Sequence, residues 1–257
     1  MTAVELHHRV DGPEDGPVLE MGSSLGTTHA MWDDQVGPLT ARGFRVLRYD
    51  TRGHGASPAP PGPYAMEELG ADLLALLDRL GVGRVSLCGL SIGGMIGMWC
   101  ASEAPARFER LVLCCTVPHF PPRELWDERA STVRAQGMEP MVDPAIGRWL
   151  TAANRSARPE AEQHLRAMLR SIPAEGYAGC CEAIRDMDLR DRLAAIEAPT
   201  LVVAGAEDPS TPPDRVRALV AEAVRDARYV ELEGAAHIAN MGQPAAFERA
   251  LLEHLTA

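Results

Sequence analysis

Arg84-Val-Ser-Leu-Cys-Gly-Leu-Ser-Ile-Gly-Gly-Met-Ile-Gly-Met-Trp-Cys100 reads as a buried strand, a sharp turn and a helix, with Ser91 at the apex of the turn. Within it, Gly89-Leu-Ser-Ile-Gly93 matches G-x-S-x-G, the pattern in which a strained strand-to-helix turn lifts a serine hydroxyl above the end of a sheet. The glycines are there for space: a nucleophile forced toward positive φ leaves no room for Cβ atoms two residues to either side. Gly94 and Gly97 then let the following helix pack closely on the sheet. The pentapeptide alone carries little information, and a bland Gly/Ser turn is the competing reading. Its flanks decide. Val85 and Leu87 suit a strand buried on both faces, and Met95 to Ala101 continues as a helix until Ala104-Pro105 stops it.

The chain of 257 residues is long enough for one large core, or one core plus an insertion. Its 46% hydrophobic and 24% charged residues are ordinary for a globular enzyme. A net charge of -11 and a pI near 5.2 give a surface that repels nucleic acid and anionic lipid. The expected partner is therefore a small molecule, with no nucleic acid and no membrane, and an anionic substrate would need a local basic pocket. The N-terminal Met1-Thr-Ala-Val-Glu-Leu-His-His lacks a basic segment followed by an apolar run, and no window approaches the ~18 apolar residues of a membrane span. A cytoplasmic protein is expected. Cys88, Cys100, Cys114, Cys115, Cys180 and Cys181 lie mostly in apolar runs without a C-x-x-C pair, and read as small buried hydrophobes instead of metal ligands or disulfides. There is no low-complexity tract and no internal repeat.

Val4 to Val10 and Val18 to Met21 read as strands, Met31 to Ala41 as a helix and Phe44 to Tyr49 as a strand. Asp50-Thr-Arg-Gly-His-Gly55 is a turn. Leu69, Leu73, Leu76, Leu77 and Leu80 have helical spacing. After the Ser91 unit, Leu111 to Cys115 is another buried strand, so strands and helices alternate as in a mostly parallel sheet covered on both faces. From His119 to Arg190 no strand-like run appears. Alternation resumes with Pro199 to Gly205 (strand), Pro213 to Ala223 (helix), Ala227 to Leu232 (strand) and Ala245 to Leu255 (helix). The expected architecture is an α/β-hydrolase fold whose core, residues 1–118 and 191–257, is interrupted by a helical lid, residues 119–190, inserted after the sixth strand.

A serine hydroxyl is a poor nucleophile at neutral pH, so the elbow requires a base, and the base a third group to hold its tautomer. Catalytic groups in open α/β sheets lie beyond the carboxyl ends of strands. Asp208 follows the strand ending at Ala204, and His237 follows the strand ending at Leu232. The order Ser91, Asp208, His237 is that of α/β-hydrolases. Glu207 is the rival acid. His7, His8, His164 and His254 fall on presumed surfaces, His54 suits a turn-stabilising role, and His119 opens the lid and could line the site. The oxyanion requires two backbone donors: Ile92, after the nucleophile, and Leu25, in the loop Ser23-Ser24-Leu25 after the second strand.

The chain resembles the 3-oxoadipate enol-lactone hydrolases of bacterial aromatic degradation over essentially its whole length. The resemblance rests on Ser24-Leu-Gly-Thr27, Met31-Trp32, Arg45 to Gly55, Gly62-Pro-Tyr64, Cys88-Gly-Leu-Ser91, Arg148-Trp149, Glu175-Gly-Tyr177, Cys181-Glu-Ala-Ile184 and Ala227 to Leu232. Ser23 and Ile92 depart from it, standing where Asn and Met are expected. The resemblance implies that Ser91, deprotonated by His237, opens an enol-lactone without metal or organic cofactor. Three other readings use the same triad: a general carboxylesterase or lactonase, a cofactor-independent haloperoxidase or perhydrolase, and a ligand receptor on a hydrolase scaffold. The implied lactone carries a carboxylate, which requires an arginine at the pocket. Arg129, Arg134 and Arg148 in the lid and Arg52 on the sheet side are the candidates, with Trp126, Trp149 and His119 as further substrate contacts.

Overall fold

The computed structural model describes residues 3–257. Seven strands form one sheet in the order β1-β3-β2-β4-β5-β6-β7. They are β1 (His8–Asp11), β2 (Val18–Gly22), β3 (Arg45–Tyr49), β4 (Val85–Leu90), β5 (Phe108–Cys114), β6 (Thr200–Gly205) and β7 (Arg228–Leu232). Only β1 runs antiparallel, against β3. Every residue of β4 and β6 is buried, which explains their unbroken apolar runs. Helices α1 (Asp33–Thr40) and α11 (Pro244–Leu255) pack together, as do α2 (Met66–Arg79) and α3 (Ile92–Glu103), with α3 laid across β2, β4 and β5.

Between β5 and β6 the chain makes five helices: α4 (Arg123–Gln136), α5 (Glu139–Trp149), α6 (Ala152–Ala157), α7 (Pro159–Ser171) and α8 (Ala174–Asp186). This excursion follows the fifth strand, not the sixth as expected: the five strand-like runs read before it are the five strands that form, with no further strand among them. Strand β1 is also shorter than the periodicity of Val4 to Val10 suggests. The Val4 amide donates to Asp72 Oδ1 (2.8 Å) and the His7 amide to Ser57 Oγ (2.9 Å), so these two amides are spent on side chains, and the last backbone contact on this side is the Asp50 amide on His7 O (2.9 Å). Of the expected helices, one starts late and one ends early. His29–Trp32 is a 3₁₀ turn capped by Thr28 before α1 begins. After α9 (Pro213–Val216), Arg217–Ala221 widens into a π turn. Helix α10 (Ala239–Gly242) completes the set. Among the described residues no helix is long and apolar enough to cross a membrane.

Candidate active site

Ser91 sits between β4 and α3 at φ 57°, ψ −119°, the left-handed strain an elbow requires. A Cβ on Gly89 would lie 2.4 Å from the Gly93 carbonyl oxygen, and one on Gly93 2.3 Å from that of Gly22. The conformation is held from both sides of the peptide: the Ser91 amide donates to Cys114 O (2.9 Å), and Thr116 Oγ1 donates to Ser91 O (2.8 Å).

The loop after β6 folds around its own carboxylate. Asp208 Oδ1 accepts the amides of Ser210 (2.8 Å) and Thr211 (3.2 Å), and Oδ2 accepts the Thr211 hydroxyl (2.5 Å). His237 Nδ1 lies 2.8 Å from the same Oδ2, so Nδ1 carries the proton and Nε2 is left to act as a base. Burial pushes the Asp208 carboxyl up, but the His237 charge and the hydrogen bonds from His237, Thr211 and Ser210 outweigh it and hold the group below its ordinary value. Glu207 is exposed and takes no part in this contact.

Most backbone amides around Ser91 already have an acceptor. In the loop after β2, the Ser24 amide donates to Met31 Sδ (3.2 Å), Gly26 to His54 Nε2 (3.0 Å) and Thr27 to Ser24 O (3.0 Å). At the elbow, the Gly93 amide donates to Ser23 O (3.1 Å). Among the described residues, the amides of Leu25 and Ile92 have no protein acceptor. These are the two named from sequence.

A cavity of about 210 Å³ opens in front of Ser91 and His237, beneath the inserted helices. Leu25, Met95, Phe120, Trp126, Trp149 and Ile184 supply apolar walls, and Ser24, Tyr177, Arg129 and Arg148 supply polar groups. Arg129 lies over the Trp126 ring at 4.7 Å, while the indole N–H is engaged with Phe120 O (2.8 Å). Among the described residues neither Arg129 nor Arg148 has a carboxylate partner. Burial, then the neighbouring Arg129 charge, lowers the Arg148 pKa. Two positive groups thus face the cavity uncompensated, in a chain of net charge -11.

The other candidates are elsewhere. Arg134 is clamped by Glu175 (2.9 Å from both Nε and Nη2) and Glu182 (2.6 and 3.0 Å), and does not line the cavity. Arg52 is buried in a two-bonded pair with Asp72 (2.7 and 2.8 Å). His119 is also outside: Arg215 donates to its carbonyl (3.1 Å), and Phe120 takes the place at the wall. Tyr177 is a cavity residue that sequence reasoning quoted only as part of a motif; its place in that motif was the available signal.

The base is also tied to the inserted helices. The His237 amide donates to Arg148 O (3.3 Å) and the Ile238 amide to Trp149 O (3.1 Å), while Asn154 Nδ2 donates to Gly242 O (3.0 Å). Among the described residues, two groups have metal-like spacing. In Cys115, Asp208 and His237 the site is occupied by the Asp–His hydrogen bond. In His7, His29 and Asp50 both carboxylate oxygens already accept a ring nitrogen and an amide.

A fold of this topology, with an elbow serine, an Asp–His pair and two unengaged amides, defines a class of hydrolase. The chain belongs to the alpha/beta hydrolase family, whose profile matches residues 22–250. Within it the chain is 40% identical over 248 residues to 3-oxoadipate enol-lactonase 2 of Acinetobacter baylyi, covering 96% of this chain and 92% of the relative. The enol-lactonase from Burkholderia xenovorans LB400 superimposes with a TM-score of 0.95 at 41% identity, over 98% of this chain and 96% of that one. A thermophilic esterase from Thermogutta terrifontis, solved with malate bound, gives 0.92 at 31% identity over 98% and 93%.

Proposed function

We propose that the protein is a serine hydrolase of a carboxylated enol-lactone, 3-oxoadipate enol-lactone in the first instance, acting in the cytoplasm in aromatic breakdown. The observation that carries this reading is the pair of carboxylate-free arginines, Arg129 and Arg148, across the cavity from the serine. Relatives named 3-oxoadipate enol-lactonase and a solved enol-lactonase support it, as does the malate, a dicarboxylate, bound to the esterase relative.

In this mechanism His237 Nε2 takes the Ser91 hydroxyl proton as Oγ adds to the lactone carbonyl. The Leu25 and Ile92 amides receive the oxyanion. Collapse breaks the ring C–O bond, and the enol oxygen leaves with the proton returned by His237. The enol then tautomerises to a ketone, which removes the leaving group as a competitor for the acyl-enzyme. Water, deprotonated by His237, adds to the acyl carbon and releases Ser91. Residues 119–190 serve as a cap that excludes bulk water and presents Arg129 and Arg148 to the substrate carboxylate.

The test follows the lactone's ultraviolet absorbance beside hydrolysis of a neutral aryl ester. A kcat/KM at least about a hundredfold higher for the lactone is expected, with Ser91→Ala reducing both by several orders of magnitude while remaining folded. Equal turnover of the two substrates would make the protein a general esterase. A drop of less than about tenfold in Ser91→Ala would mean another nucleophile.

A further inference from the structure

We propose that His54 is a positioning residue of the oxyanion loop: its Nε2 accepts the Gly26 amide and so holds the Leu25 N–H toward the carbonyl oxygen of the acyl group. The inference rests on the serine-hydrolase reading above, but not on the identity of the lactone.

The tautomer follows from the partners. His54 Nδ1 lies 3.3 Å from the Arg52 carbonyl oxygen, which can only accept, so Nδ1 carries the hydrogen. Nε2 is then bare, and it lies 3.0 Å from the Gly26 nitrogen. Burial lowers the His54 pKa to about 4, so the acceptor persists at neutral pH. The groups around the ring are the Arg52 carbonyl, Cys180 Sγ at 4.0 Å from Nδ1, and the more distant Asp50 carboxylate. None of these needs a charged imidazole.

The loop has little else to fix it at this point. Gly26 has φ +83°, so the chain reverses immediately after Leu25. On the near side, Thr27 donates to the Ser24 carbonyl through both its amide (3.0 Å) and its hydroxyl (2.8 Å). Carbonyl and N–H point opposite ways in a trans peptide, so this contact aims the Leu25 N–H away from Thr27, on the side where Leu25 lines the cavity. On the far side, only His54 holds the Leu25–Gly26 peptide among the described residues. Helix α8 closes over the ring's turn: Gly176 packs against Gly53, where a Cβ would come within 2.4 Å, and Cys180 Sγ donates to Arg52 O (3.5 Å). The turn Asp50 to Gly55 therefore acts on the reaction through the loop, without touching substrate.

Two variants separate positioning from packing. His54→Leu keeps the bulk and removes the acceptor, whereas His54→Gln offers an oxygen near the place of Nε2. The readouts are the rate at which a fluorophosphonate labels Ser91 and the kinetics on a neutral aryl ester. His54→Leu is expected to slow labelling and lower kcat by about tenfold to a hundredfold, below the ~10²–10³ of deleting a donor outright, with KM changed less than about threefold. His54→Gln is expected to recover to within about threefold of the wild type. Labelling of His54→Leu at the wild-type rate, or equal losses in the two variants, would overturn the proposal. If the variants do not fold, the wild-type protein still decides it: a through-hydrogen-bond coupling between the Gly26 amide nitrogen and His54 Nε2 must be present by NMR, and its absence refutes the contact. A wild-type protein that no fluorophosphonate labels would instead refute the serine-hydrolase reading itself.

Discussion

Replacing Arg148 by Met removes the guanidinium but keeps an apolar side chain beside Trp149, and the backbone carbonyl that holds His237 is untouched. The free enzyme presents Arg129 and Arg148 to one cavity with no carboxylate partner among the described residues, and burial and then the Arg129 charge make Arg148 costlier to charge. A substrate carboxylate would supply the missing charge. A charge-assisted contact in such a partly desolvated site is worth roughly 1.5–3 kcal/mol, which at ~1.4 kcal/mol per decade is about 10- to 150-fold in KM. Arg148→Met is therefore expected to raise KM for the carboxylated lactone by that factor and to change neutral aryl ester hydrolysis by less than about threefold. Arg129→Met should act similarly, and the double variant should fall short of the product of the two, because removing one charge relieves the other. Arg134→Met is the control: it breaks the Glu175 and Glu182 pairs, lowering Tm while leaving KM alone. Steady-state kinetics on both substrates decide the matter. Equal effects of Arg148→Met on lactone and ester would refute carboxylate recognition, as would a larger KM effect from Arg134→Met.

Asp208→Asn leaves His237 near Ser91 but in the wrong tautomer, and a kcat loss on the order of 10⁴ is expected; a greater loss from Glu207→Gln would contradict the acid assignment. His54 also gives the fold a pH dependence. Its pKa falls from 6.5 unfolded to about 4 folded, so the unfolded chain binds the extra proton and stability drops as pH falls through that window, by roughly 3 kcal/mol at ~1.36 kcal/mol per pH unit. Urea titrations of His54→Gln should lack that slope. Glu20 works in the opposite direction. Fully buried, with neither oxygen partnered, it has a pKa raised well above 4.5 by desolvation, so stability is lost as pH rises above that value. Glu20→Met is expected to be stabilising at pH 8 and progressively less so toward pH 4; a pH-independent difference in denaturant midpoint would contradict a protonated Glu20.

What the sequence made legible was local chemistry. Ser91, Asp208, His237 and the amides of Leu25 and Ile92 stand where strand ends and glycine spacing put them, since each depends on its own turn. Arginine roles were not legible in this way. Arg134 and Arg148 look alike in a helix, and only the fold reveals that Glu175 and Glu182, 41 and 48 residues away, engage the first, while among the described residues no carboxylate engages the second. Arg52 is hidden by Asp72 for the same reason. Boundaries failed where a side chain intercepted a backbone group, as Asp72 and Ser57 do near Val4 and His7. The early end of α9 is different: Arg217–Ala221 keeps helical spacing of apolar residues, and periodicity alone does not register a π turn.

The His237 and Ile238 amides that end on the Arg148 and Trp149 carbonyls tie, in the proposed mechanism, the pocket wall to the base. Exchanging the inserted helices for those of another hydrolase would import a new set of pocket walls, but it would also withdraw the two acceptors on which His237 and Ile238 lean. A transplanted cap must bring carbonyls to the same height, or the chimera will lose its base along with its old specificity. Side chains such as Phe120, Trp126 and Tyr177 line the cavity and can be exchanged without moving the carbonyls at residues 148–149. New substrates can be reached by repainting this cap far more readily than by replacing it.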